Sequence, residues 1–166
     1  VAEMLIGEYE YGEELASEGW SPLHVAVERG RIDVARALVE RGASLSARTS
    51  DNETPLRLAI KNGDYDQATC AKLVELFLEH GAPVDEACGG ETLLHDACTY
   101  KAGIGAVRVL VAHGAEINSP GSNGRTPLSR AASNYPVRRR FCPTWSNMAL
   151  TLTLRIISAG RHCIGL

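Results

Sequence analysis

One six-residue pattern recurs four times along this chain, and it constrains the fold more than any other feature. It reads Ser21-Pro22-Leu23-His24-Val25-Ala26, Thr54-Pro55-Leu56-Arg57-Leu58-Ala59, Thr92-Leu93-Leu94-His95-Asp96-Ala97 and Thr126-Pro127-Leu128-Ser129-Arg130-Ala131. The first residues of these blocks lie 33, 38 and 34 positions apart. A second landmark follows each block: Gly42-Ala43, Gly81-Ala82, Gly114-Ala115 and, in altered form, Gly160-Arg161. A chain with a period of this length is built from stacked units, because one unit cannot bury its own apolar face.

Each unit has the chemistry of a helix pair. Ser21, Thr54, Thr92 and Thr126 are hydroxyl N-caps, able to accept from the free N–H groups of a first turn. Pro22, Pro55 and Pro127 follow at the first helical position, where the missing N–H costs nothing. Leu23 and Ala26, with their counterparts, form a short apolar face, and Gly30 and Gly63 end the first two of these helices. A second helix follows, with Ile32, Val34, Ala35, Leu38 and Val39 at spacings of three and four. Gly42, Gly81 and Gly114 close it, and a polar or extended connection leads to the next cap.

This pattern resembles the ankyrin repeat, whose signature is T-P-L-H-x-A at a period of 33. The resemblance implies an all-α fold, an ankyrin-type helix-turn-helix solenoid with short hairpin fingers. Val1–Ile6 matches Val34–Val39 at an offset of 33, so residues 1–16 read as a half repeat, the second helix of an earlier unit. Four fuller repeats are expected over 17–49, 50–87, 88–121 and 122–166. The second is longer from cap to closing glycine, 27 positions against 21 in the first, with the insertion expected between its helices near Asn62–Gln67. The third carries one extra residue near Tyr100–Gly103. The fourth is degenerate, with an inserted Arg-rich loop near 135–147. Its last helix, around Ala149–Ile157, is apolar where a capping repeat would be polar. Either more chain follows that helix or this end packs on something, and a first residue Val1 rather than Met adds the expectation of a piece of a longer protein.

Composition removes whole classes of function. The net charge of −3 gives no global case for nucleic acid. Charge is nonetheless uneven: residues 1–20 hold six acids and no Lys or Arg, while 119–166 hold seven arginines and no acid. Arg138–Arg140 with Phe141 and Trp145 could meet phosphates and stack on bases. Three arginines on an acidic chain are too few to carry that reading, and a solvated loop or an acidic protein partner fits as well. Cys70, Cys88, Cys98, Cys142 and Cys163 are odd in number and form no CxxC pair, against both a disulfide framework and a zinc site. Reduced thiols are expected, in an intracellular protein of cytoplasm or nucleus. No apolar run is long enough to span a membrane, and the acidic start does not read as a secretory signal. Cys163–Leu166 fits a prenylation box only loosely.

No catalytic constellation is found, and no metal site or cofactor is expected. HExxH, GxSxG and phosphate-cradling glycine loops are missing. His95 and Asp96 are adjacent on one helix and point apart, so they make no dyad. The resemblance gives His24 and His95 a structural task instead, tying neighbouring turns together by hydrogen bonds. His80 and His113 precede closing glycines, where an imidazole suits a helix C-terminus.

The resemblance implies a non-catalytic module that binds another protein along its concave face, without a small-molecule substrate. An alternative is a regulatory or substrate-adaptor segment of a ubiquitin-ligase subunit, channel or kinase. By position in the pattern, the contact residues are Glu18, Trp20, Glu28 and Arg29 in the first full repeat. Asp51, Glu53, Lys61 and Asn62 follow in the second, Glu91, Thr99 and Tyr100 in the third, and Asn123, Arg125 and Asn134 in the fourth. Trp20 either anchors a partner or packs on its own chain. Asn118, with Leu110 eight residues earlier, occupies the place of the family's hydroxylated asparagines.

Overall fold

Ser21 opens the first helix with its side chain. Its backbone is extended, its Oγ accepts from the N–H of His24, and the His24 ring returns the bond to the Ser21 N–H, a reciprocal cap over α1 (Pro22–Glu28). Thr54 caps α3 (Pro55–Lys61) through the Arg57 N–H at 3.3 Å. Thr126 does the same at the start of α7 (Pro127–Arg138), accepting from the Ser129 N–H at 3.4 Å. Between these first helices run the second helices: α2 (Ile32–Glu40), α4 (Gln67–Glu79) and α6 (Gly103–Ala112). The computed structural model describes residues 19–62, 66–99 and 103–138, with the side chains of all of these except 103, 104, 132 and 134–138. The half repeat 1–16, the last helix near 149–157 and the C-terminal tail lie outside the described residues.

The third repeat lacks the proline and is started differently. A two-residue hairpin, β1 (Ala87–Cys88) against β2 (Glu91–Thr92), precedes α5 (Leu93–Thr99). Ala87 faces Thr92 and Cys88 faces Glu91 in antiparallel register. Its turn is Gly89-Gly90, with φ of 59° and 79°. Two consecutive left-handed residues suit a tight hairpin turn that matches strand twist, and glycine adopts them without a Cβ penalty. The expected hairpin finger is therefore present here.

The helices stack in two rows. First helices α1, α3, α5 and α7 pack neighbour on neighbour, second helices α2, α4 and α6 do likewise, and α1, α3 and α5 each pack on their own second helix. One apolar cluster runs through the stack, with Leu23, Leu56, Ile60, Leu73, Phe77, Leu94 and Leu110 essentially removed from water. Each such side chain contributes about 1.5–3 kcal/mol on burial. Small residues let the second helices close up: a Cβ on Gly105 would lie 3.0 Å from Ala71 Cβ and 3.1 Å from the Gln67 carbonyl.

Two details differ from the sequence reading. The extra length of repeat two does not all fall between the helices. α4 has 13 residues against 9 in α2, so most of the insertion lengthens the helix, restarted by Asp66 as its cap. In repeat four the first residues of the expected loop near 135–147 are helical. α7 continues through Pro136 to Arg138. Residues 139–147 lie outside the described residues.

Candidate interaction surface

Successive repeats are fastened by one recurrent bond between a first helix and the next finger. Ser21 N–H donates to His24 Nδ1 at 3.0 Å. This acceptor role leaves the ring proton on Nε2, which donates to the Glu53 carbonyl at 3.1 Å. His95 repeats the arrangement, with the Thr92 N–H on Nδ1 at 3.2 Å and Nε2 on the Arg125 carbonyl at 2.9 Å. The Thr92 hydroxyl meets His95 Nδ1 at 2.8 Å. In the second repeat Arg57 takes the histidine place and its Nη2 donates to the Glu91 carbonyl at 2.6 Å. Burial pulls His24 below the ordinary imidazole range, against the smaller opposing pull of the Glu53 carbonyl. Both histidines thus have structural places in the stack.

These bonds fix a strip of fingers and first helices, and the sequence-derived contact residues distribute along it. Ser50–Asn52, Gly89-Gly90 and Ser122–Arg125 are exposed at the finger tips, which places Asp51, Asn123 and Arg125 in solvent. Glu28 and Arg29 are exposed at the end of α1. Asn62 donates to the Glu28 carbonyl at 3.0 Å and to its carboxylate at 3.3 Å. Other candidates are tied within the stack. Lys61 pairs with Glu53. The Glu91 carboxylate accepts from Arg130 at 2.7 Å and from the Ser122 hydroxyl at 2.9 Å. Thr99 donates to the His95 carbonyl at 2.8 Å and accepts from Arg130 Nε at 3.2 Å. Trp20 is half-buried, packs on the core and lies 6.0 Å from the His24 ring at a tilt of 57°. Asn118 is exposed and Leu110, eight residues earlier, is fully buried. Glu18 and Tyr100 lie outside the described residues, and Asn134 is placed on α7 by its backbone alone.

Sequence reasoning missed the polar residues under this strip. Arg57 and Asp96 form a buried ion pair. Glu86, also buried, accepts from the Thr54 hydroxyl at 2.7 Å and pairs with Arg48 at 3.2 Å. The available signals were an arginine in a histidine place and an acid where Val25 and Leu58 stand in the first two repeats. Burial pushes the Asp96 carboxyl above the usual carboxylate range, although Arg57 and Lys61 pull it down. The thiols of Cys70 and Cys98 are pushed up to about 12 by burial, which keeps them protonated and unreactive. Cys88 is half-buried and accepts from the Asn52 amide at 3.6 Å. His80 donates to the Leu76 carbonyl at 2.8 Å, as a ring at a helix C-terminus should. Cys142, Cys163 and His162 lie outside the described residues. Among those that are described, no cluster of three or more His, Cys, Asp or Glu could hold a metal. No helix among them is long and apolar enough to cross a membrane.

The chain matches the family model described as ankyrin repeats (3 copies) over residues 1–72, 48–121 and 66–142. It is 31% identical over 136 residues to a transient receptor potential cation channel subfamily A member 1 homolog of Caenorhabditis elegans, covering 80% of this chain and 11% of that protein. It is 37% identical over 116 residues to a putative ankyrin repeat protein of fowlpox virus, covering 67% of this chain and 32% of that one. Ankyrin repeat and SOCS box protein 11 of Mus musculus is 28% identical over 145 residues, covering 87% and 42% respectively. The chain therefore spans less than half the length of each of these relatives. The hydroxyl caps, the two rows of helices and the finger-to-helix bonds recur at the period that these matches cover, and the chain belongs to the ankyrin repeat family.

Proposed function

We propose that this chain is a non-catalytic segment that binds another protein along its fingers and first helices, the face that is concave in ankyrin stacks. Ankyrin repeats are protein–protein interaction modules, and that is the function class of the family. The observation that carries the finer reading is the exposure of three successive finger tips, Ser50–Asn52, Gly89-Gly90 and Ser122–Arg125. They recur on a base held by bonds between repeats. Such a platform is extended and rigid, and a few anchors dominate its affinity. At the finger tips, Arg125 and Asp51 are the exposed charged candidates. Trp20 contributes to binding through whatever part of its ring the core leaves uncovered. The reduced, buried Cys70 and Cys98 fit an intracellular setting.

The test compares faces. A partner is recovered by pull-down, and binding is measured for Trp20→Ala, Asp51→Ala and Arg125→Ala against Arg36→Ala and Lys72→Ala on the second helices. At least one of the first three weakens binding by more than about 1 kcal/mol, with the fold kept. Loss confined to Arg36 or Lys72 would place the interface on the other row.

The short coverage of the relatives supports a second, compatible reading. In it the stack is the recognition segment of a longer protein, such as a channel or a SOCS box adaptor, and the other segments carry the activity. Asn118, exposed on its finger, is further proposed as a target of an ankyrin-directed asparaginyl hydroxylase. Incubation with such an enzyme should add the mass of one oxygen atom to the peptide containing Asn118. An unchanged peptide would remove it as a site.

A further inference from the structure

The three interfaces between the described repeats share one plan, and the position next to the shared bond carries a different chemistry in each. His24 reaches the carbonyl just before the Thr54 cap, and His95 the carbonyl just before the Thr126 cap. Arg57 reaches the carbonyl just before Thr92 and so does the work of the motif histidine. Arginine also brings a charge that neutral imidazole does not. That charge is answered by Asp96, whose Oδ2 lies 2.7 Å from Arg57 Nε and 2.6 Å from Nη2. Asp96 stands one residue past the histidine place, where the second repeat has Leu58 and the fourth has Arg130. Leu58 is apolar and buried in the core. Arg130 reaches back to the Glu91 carboxylate of the repeat before it at 2.7 Å. The position is thus neutral, acidic and basic in turn, and the two charged residues each pair with the repeat that precedes them.

We propose that Arg57 and Asp96 form a neighbour-selecting lock, so that repeat two accepts as its C-terminal neighbour a repeat carrying a carboxylate at the place of Asp96. The two departures from the pattern lie 39 positions apart yet meet across one interface. Their side chains are only 3% and 11% exposed. An apolar residue in place of Asp96 leaves the guanidinium buried without its counter-ion. A histidine in place of Arg57 strands the carboxylate. Either error is far more damaging than replacing both partners together, because a buried charge without its mate keeps its full desolvation cost. The pair is not an optimum for stability. Arg57 Nη1 has no hydrogen-bond partner among the described residues. Burial also raises the Asp96 carboxyl despite the arginine beside it. What the pair supplies is discrimination against a mismatched neighbour.

The test is a double-mutant cycle on the full chain, read as urea midpoints. Arg57→His restores the motif residue, Asp96→Val restores the residue of repeat one at that place, and the third variant carries both. Each single change lowers the midpoint by about 1 M, and the double variant regains most of that loss. If one single variant does not fold, a double variant with a near wild-type midpoint gives the same support. Losses that simply add, singles without effect, or a double variant as unstable as the worse single would each overturn the lock.

Discussion

His24 holds a neutral ring because both of its nitrogens face fixed backbone partners, an N–H on Nδ1 and a carbonyl on Nε2. Protonation would set a second donor against the Ser21 N–H. Its folded pKa lies below the unfolded value of 6.5, so its contribution to stability is present above pH 6.5 and is lost as pH falls through the folded value. Asp96, whose carboxyl is raised, works in the opposite sense on acidification. The quantity to read is therefore the difference between wild type and His24→Gln. Thermal melts between pH 7.5 and 5.5 should show wild type losing its advantage over His24→Gln as pH falls. A constant difference would mean that the ring is not the group responsible. Gly121 gives a second test at this scale. A Cβ there would lie 2.9 Å from Glu91 Oε2 and 3.0 Å from His95 Nε2. Glu91 is held by Arg130 and Ser122 and cannot swing clear freely. Gly121→Ala should destabilise by about 1–3 kcal/mol in denaturant melts, and an unchanged midpoint would show that the finger moves aside at no cost.

The caps show which element-level features a sequence exposes. Hydroxyl, proline and leucine in a row mark a helix start without further information, and α1, α3 and α7 begin where that pattern places them. What each hydroxyl does beyond its own helix is not local. Thr54 caps α3 and also donates to the buried Glu86 carboxylate, whereas the Thr126 hydroxyl accepts from its own first turn. Thr54→Ala should therefore cost about 2 kcal/mol, roughly twice the loss for Thr126→Ala. Equal losses in urea melts would mean that the bond to Glu86 adds nothing. The lengthened α4 was hidden for a similar reason. Asn62–Gln67 reads as loop from Asn, Gly and Asp, and the same Asp66 that looks like a breaker is the cap that restarts the helix.

At the scale of the molecule, period alone carried the architecture, because stacked units leave the same spacing of caps and closing glycines wherever they occur. The surface was less legible. Glu53, Lys61, Glu91 and Thr99 read from position as polar residues available to a partner. Each also has a partner within the stack. Lys61 and Glu53 pair within one repeat, whereas Glu91 and Thr99 are held by residues about one repeat further on, and nothing within a single unit reveals those. The exposed tips at Asp51, Asn123 and Arg125 leave the fingers as the part of the strip most open to another molecule. The most direct test is hydrogen exchange of the full chain with and without a recovered protein partner. Binding along the strip should slow exchange at the fingers, 49–53, 87–92 and 121–126, and leave the second helices 32–40, 67–79 and 103–112 unchanged. Protection confined to those second helices, with fingers exchanging as in the free chain, would contradict the account.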